Sequence, residues 1–238
     1  MRNYGTVYVD GKALSDFGAF LTNAGIYAAP EPIYEKVTVE GRIGDLLVET
    51  GGYSNVTIRY PSVILSDFDS KYTALRGFLL ARTGYSRIED SYTPERFRLG
   101  RPAGQITPAS KNGHQTRLFD VVFDCKPQWY LTAGEDPIEI AGNSTIKIIN
   151  PTEFTALPLI KVTSGTGEIV VNNQHATLAA NNGATIIDSE IQDCYEGATN
   201  RNGDLTLTNG YPVLLPGENG ITIPAGMTVE ITPRWWTL

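Results

Sequence analysis

Turn-forming residues are spaced so closely along this chain that short strands are the main element it can build. Its 238 residues include 24 Gly and 14 Pro, which interrupt apolar-alternating runs roughly every ten residues, the signature of sandwiches and barrels. Ile146/Ile148, Ile160/Val162, Ile169/Val171, Leu205/Leu207, Ile221/Ile223 and Val229/Ile231 all keep a period of two, so each pair points to one face of a strand. Asp10-Gly11 fits a type I′ hairpin turn, Gly51-Gly52 is expected to join strands Leu46–Thr50 and Asn55–Tyr60, and Gly165-Thr166-Gly167 reads as a hairpin turn. Thr116–Cys125 reads as a buried central strand, while Ala176–Gly183 and Glu196–Asp204 read as loops. No period of 20–50 residues repeats, which argues against a solenoid or propeller.

One segment breaks the β pattern. Tyr72, Leu75, Leu79 and Arg82 recur at spacings of three and four, with Phe78 adjoining. This predicts a helix over about 70–83, with Asp69 or Ser70 as N-cap and Gly84 past its end. The stripe is expected to pack on a sheet.

Charge is divided unevenly. Residues 1–128 hold 15 Lys+Arg against 14 Asp+Glu, a net of +1; residues 129–238 hold 4 against 12, a net of −8. Two domains are therefore expected, 1–128 and 129–238, with a boundary near Pro127–Gly134. The acidic half should repel a nucleic-acid backbone. No apolar run approaches the roughly 20 residues needed to cross a bilayer, and the first residues show no secretory signal. Cys125 and Cys194 read as free, partly buried thiols, with a disulfide across the halves as the alternative.

Catalytic and metal motifs are missing. His114 and His175 both sit in polar stretches read as turns, and there is no Gly-x-Ser-x-Gly, Cys-x-x-Cys or His-Glu-x-x-His. Asp67-Phe68-Asp69-Ser70 opens like a calcium loop but lacks its glycine and bidentate Glu, and better suits the start of a helix. Asp188, Glu190 and Asp193 are a carboxylate group that a glycosidase could use, or simply a solvated acidic face. The sequence points to no catalytic residue, no metal ligand and no cofactor.

The arginine-rich stretch stands apart. Arg82, Arg87, Arg96, Arg98 and Arg101 are interleaved with Glu89, Asp90 and Glu95. Mixed signs disfavour a nucleic-acid patch. The two readings are a solvated surface and a subunit interface where guanidinium–carboxylate pairs fix register between identical copies.

The order of several short segments carries a family resemblance. In the first half these are Tyr8–Lys12, Phe17-Gly18, Glu31-Pro32, Val37–Gly44, Tyr53–Ile58, the run Ile88-Glu89-Asp90-Ser91-Tyr92-Thr93-Pro94-Glu95-Arg96-Phe97-Arg98, and Val122–Gln128. In the second they are Asn150-Pro151, Leu157–Val162, Thr185–Ser189, Tyr195–Gly197, Tyr211–Leu214, Pro216–Asn219 and Val229–Trp236. Together they resemble the distal tail proteins of long non-contractile phage tails. The resemblance implies an all-β fold with one helix, made of a β-rich N-terminal ring domain and a C-terminal galectin-like β-sandwich. It also implies a structural role without enzyme chemistry, at the virion tail tip. The expected partners are further copies in a homohexameric ring, the tail tube protein, a tail-associated fibre or baseplate protein, the tape-measure protein and, as a further candidate, a receptor-binding protein. Neither sequence-specific nucleic-acid binding nor membrane binding is implied. Arg82, Arg87, Glu89, Asp90, Arg96 and Arg98 become candidate ring-interface residues.

The rival reading is a carbohydrate-binding module. Trp129, Trp235 and Trp236 could stack on sugar rings, but the galectin His-x-Asn-x-Arg and Trp-x-x-Glu-x-Arg strands are absent. Of the adjacent Trp235 and Trp236, one is expected to close a core and the other to reach an interdomain or intersubunit surface. A hydrolase built on the carboxylates is the third and weakest reading.

Overall fold

The computed structural model describes residues 5–104, 106–108 and 117–238; His114 and its polar turn lie outside them. The chain forms two compact units, one running to Trp129 and the other spanning Tyr130–Thr237.

The first unit contains β1 (Val7–Val9), β2 (Lys12–Ala13), β3 (Ala19–Leu21), β4 (Pro32–Val37), β5 (Leu46–Tyr53), β6 (Val56–Ile64), α1 (Phe68–Leu80), β7 (Ser86–Asp90), β8 (Arg96–Pro102) and β9 (Arg117–Cys125). Seven of the strands form a sheet in the order β2-β1-β7-β8-β9-β6-β3. Asp10 and Gly11 both take positive φ, 50° and 78°, as a type I′ turn between β1 and β2 demands. The long β6–β9 pair runs in register from Val56↔Cys125 to Ile64↔Arg117. Its inner face, with Ile58, Tyr60, Phe119, Val121 and Phe123, is buried. β9 is central, as its apolar composition predicts, but buried on alternate residues only: Leu118 is exposed.

The helix begins two residues before the predicted start and ends three before the predicted end. Phe68 is buried and stacks on Tyr72 at 5.0 Å, so it extends the apolar stripe upstream. Downstream, the Arg82 guanidinium donates to the Phe78 carbonyl at 2.7 Å, satisfying a free carbonyl of the last turn in place of further backbone bonds. Leu75 and Leu79 are fully buried, each contributing about 1.5–3 kcal/mol.

β4 and β5 form a separate two-stranded ribbon. Gly51-Gly52 does not turn the chain into β6; it lies within β5, where the register slips between Ile33 and Tyr34, and glycine absorbs such a bulge.

The second unit contains β10 (Trp129–Leu131), β11 (Ile138–Ala141), β12 (Ser144–Asn150), β13 (Leu159–Ser164), β14 (Gly167–Val171), β15 (Gln174–Leu178), β16 (Thr185–Asp188), β17 (Asp193–Glu196), β18 (Thr199–Asn200), β19 (Leu205–Thr208), β20 (Gly217–Ile223), β21 (Thr228–Thr232) and β22 (Trp236–Thr237). A six-stranded sheet (β11-β21-β13-β16-β17-β18) and a five-stranded sheet (β12-β20-β14-β15-β19) contribute their apolar faces to one core that includes Ile160, Val162, Ile169, Val171, Ile221 and Ile231. This is a β-sandwich.

Gly165-Thr166-Gly167 is no hairpin turn, because β13 and β14 belong to different sheets. It crosses between the sheets with Gly165 at φ +76°, where a Cβ would lie 2.3 Å from the Gly226 carbonyl oxygen. Residues 176–178 and 199–200 are strand rather than loop. His175 therefore sits on β15 and not in a turn.

Two buried amides tie the loops of this unit. Asn150 donates to the carbonyls of Phe154 and Leu214 at 2.8 and 3.1 Å. Asn219 donates to those of Leu215 and Gly217 at 2.8 and 3.0 Å.

Candidate subunit interface

The chemistry-bearing side chains are mostly committed to the fold. Asp188 and Glu190 do meet, but around a guanidinium: Arg234 donates two bonds to Asp188 at 2.7 and 3.0 Å and lies 3.4 Å from Glu190. Burial raises the Asp188 pKa, but the bonds from Arg234 outweigh it and hold the carboxyl below its ordinary range. A carboxylate held ionised in this way is unsuited to the acid half of a glycosidase pair. It is also not a solvated face, since Asp188 is buried. Asp193 stands opposite Asp188 across the β16–β17 pair, where its carboxylate accepts from Asn202 at 2.6 Å. His175 pairs with Glu168 at 3.1 Å on the outer face of β14–β15. Among the described residues no group of three His, Cys, Asp or Glu could hold a metal. Cys125 and Cys194 are free and buried.

The tryptophans are likewise engaged. Trp235 is 6% exposed within the sandwich core. Trp236 is half-buried: it stacks on Phe154 at 4.5 Å and donates its indole N–H to the Thr155 carbonyl at 3.0 Å. Trp129 contacts Tyr27 at 5.0 Å and the guanidiniums of Arg98 and Arg96 at 4.6 and 5.4 Å. The outer face of the five-stranded sheet displays Thr145, Thr222, Val170, His175 and Thr208 in one cross-strand row, with no aromatic ring in it to stack on a sugar.

The six charged candidates separate into two kinds. Asp90, 4% exposed, accepts from the Tyr27 and Tyr60 hydroxyls at 2.7 and 3.1 Å and from the Tyr92 and Thr93 amides at 2.9 and 3.0 Å. It organises the turn after β7 from the inside. Burial first, and then the Asp90 charge, push both tyrosine pKa values well up. Arg98 is also 4% exposed, and its Nε has no hydrogen-bond partner among the described residues. Burial lowers its pKa. Neither side chain faces outward.

The other four are half-buried. Arg82 pairs with Asp10 at 3.1 Å. Arg87 pairs with Glu89 two residues along the same strand at 2.7 Å and lies 3.7 Å above the Phe97 ring. Arg96 caps Trp129. The sequence held the signal for this division: in β7, Asp90 shares the inward parity of Ser86 and Ile88, and Arg87 and Glu89 the outward parity.

The most exposed apolar surface lies elsewhere, on the β4–β5 hairpin, whose described residues are nearly all exposed. Pairing puts Tyr34, Lys36, Leu47 and Glu49 on one face and Glu35, Val37, Leu46 and Val48 on the other. Leu47 is 57% exposed, and Ile43 at the tip is fully exposed. An isolated two-stranded hairpin is marginal in water, and apolar side chains stand open on both faces of this one. Sequence reasoning placed strands here without identifying the surface. The signal was the presence of apolar residues at both parities of a chain segment rich in charge.

Solved structures share this fold. The crystal structure of the SPP1 Dit protein, described as a paradigm of the hub adsorption apparatus in phages infecting Gram-positive bacteria, superposes with a TM-score of 0.75 at 17% identity, covering 98% of this chain and 99% of that one. The fold is that of a phage distal tail protein. Chains of the phage p2 baseplate in its activated conformation, with strontium or calcium, give TM-scores of 0.51 and 0.52 at 9% and 10% identity over 96% and 97% of this chain. No family model and no curated protein matches the sequence.

Proposed function

We propose that this chain is a structural hub at the distal end of a phage tail, a ring of identical subunits joining the tail tube to the tip or baseplate that adsorbs to the host. The observation that carries the reading is the β4–β5 hairpin: a ribbon with apolar residues open on both faces is what a subunit needs if a neighbour completes it. The two-way coverage of the SPP1 Dit likeness supports it, because the whole chain is matched rather than one transferable module.

The first unit forms the ring, and its half-buried Arg82, Arg87, Glu89 and Arg96 lie at or near the contact. Six copies, the tail tube protein, the fibre or baseplate protein and the tape-measure protein are the partners of this reading; a receptor-binding protein is a further one. The role is structural rather than enzymatic. Electron micrographs of the purified chain test it: closed rings of one diameter with a central opening are expected, and open filaments or single particles only would count against it.

A further inference from the structure

A closed ring of one kind of subunit needs two different patches on each copy, one fitting the other. On the ring reading the hairpin is one of them, and a concave surface in the first unit can serve as the other. Beside α1 lies a groove of about 450 Å³ walled by Tyr72, Leu80, Pro102, Ile106 and Pro108, with Arg76 as its cation. Leu80 is 65% exposed, far from the usual state of a leucine at the end of a packed helix. Arg76 contacts the Tyr72 ring at 5.9 Å and has no carboxylate partner among the described residues.

We propose, resting on the ring reading, that the hairpin tip of one copy seats in the α1 groove of the next, with Ile43 as the knob. Three observations converge. Ile43 is the most exposed of the large apolar side chains. The groove is apolar and wide enough for a branched aliphatic side chain. Charge is complementary: residues 32–53 carry Glu35, Glu40, Asp45 and Glu49 against Lys36 and Arg42, whereas α1 carries Lys71 and Arg76 against Asp69. Around the knob Glu40 and Asp45 outnumber Arg42 and would approach Arg76, which has no carboxylate partner among the described residues.

Cysteine cross-linking of full-length chains tests the contact. The native thiols are buried, so engineered surface cysteines report alone. Chains carrying only Ile43→Cys are mixed with chains carrying only Leu80→Cys, oxidised mildly and run on a non-reducing gel. Both sites are exposed, so folding is not at risk. The expected result is a disulfide-linked dimer that requires both variants, and a ladder of multimers from the double variant. Mixing Ile43→Cys with Thr145→Cys on the sandwich should give no link. A ring of full mass that forms without the Ile43–Leu80 link overturns this contact and leaves the hub reading standing. A link within one chain overturns it as well. A chain that is monomeric at every concentration and never links removes both.

Discussion

Replacing Tyr34, Ile43 and Leu47 together by serine separates the hairpin's two conceivable roles, in the fold and in assembly. Fully burying a large apolar side chain is worth about 1.5–3 kcal/mol. Ile43 is fully exposed, so nearly all of that remains available to a partner; Leu47 is 57% exposed and Tyr34 45%, so each retains about half, roughly 1 kcal/mol. The three therefore sum to about 4 kcal/mol per subunit contact, near a thousandfold in its dissociation constant. The isolated subunit should barely notice, because exposed substitutions usually fall within about 0.5 kcal/mol each, and the hairpin lies outside the buried core of its unit. Light scattering against concentration reads the first effect and thermal unfolding the second. Loss of the oligomer with a melting temperature within a few degrees of the parent is expected. A variant that assembles with the parent's concentration dependence would refute the hairpin as interface. A drop of ten degrees or more would show that these residues serve the fold.

Other predictions concern the fold itself. Asp188 has a depressed pKa in the folded chain. Its pair with Arg234 therefore adds stability that is complete above the unfolded-state value near 4 and is lost as pH falls through the lower folded-state value. Asp188→Ala should cost about 3 kcal/mol at pH 7, and urea titrations should show that gap narrowing below about pH 4; a gap independent of pH would contradict the ionic account. Gly165→Ala meets both a positive φ and the Gly226 carbonyl, so a loss of about 3 kcal/mol is expected by denaturant titration; a neutral result would mean the crossing between sheets can shift. Burial pushes the Cys125 thiol up to about 12 and Cys194 up to about 11. A thiol reagent at pH 8 should therefore label neither in the folded chain and both after denaturation; fast labelling of the native protein would show an open core.

What the sequence disclosed depended on whether the deciding interaction was local. The Asp10-Gly11 turn, the stripe of α1 and the alternation of β12, β20 and β21 follow from backbone preference and from burying one face. The same local rules misplaced Gly51-Gly52 and Gly165-Gly167. Glycine marks a bulge, a crossing and a turn alike, and only the distant partner, Ile33 or Gly226, decides between them. Asp90 and Arg98 looked like members of a charged surface because nearby charges dominate a linear reading. Strand parity turns Asp90 inward to two tyrosines that lie 63 and 30 residues away in sequence. The open faces of the hairpin were missed for a different reason: apolar residues at both parities also fit a strand buried on both faces, and only the missing neighbours decide between the two.

The most direct test of the hub reading is the solution mass of the unmodified chain, measured by light scattering from sub-micromolar to high-micromolar concentration. The account predicts a climb to one closed species of about 155 kDa, six times the 25.9 kDa subunit. A mass of 25.9 kDa at every concentration, or open-ended growth without a plateau, would contradict it.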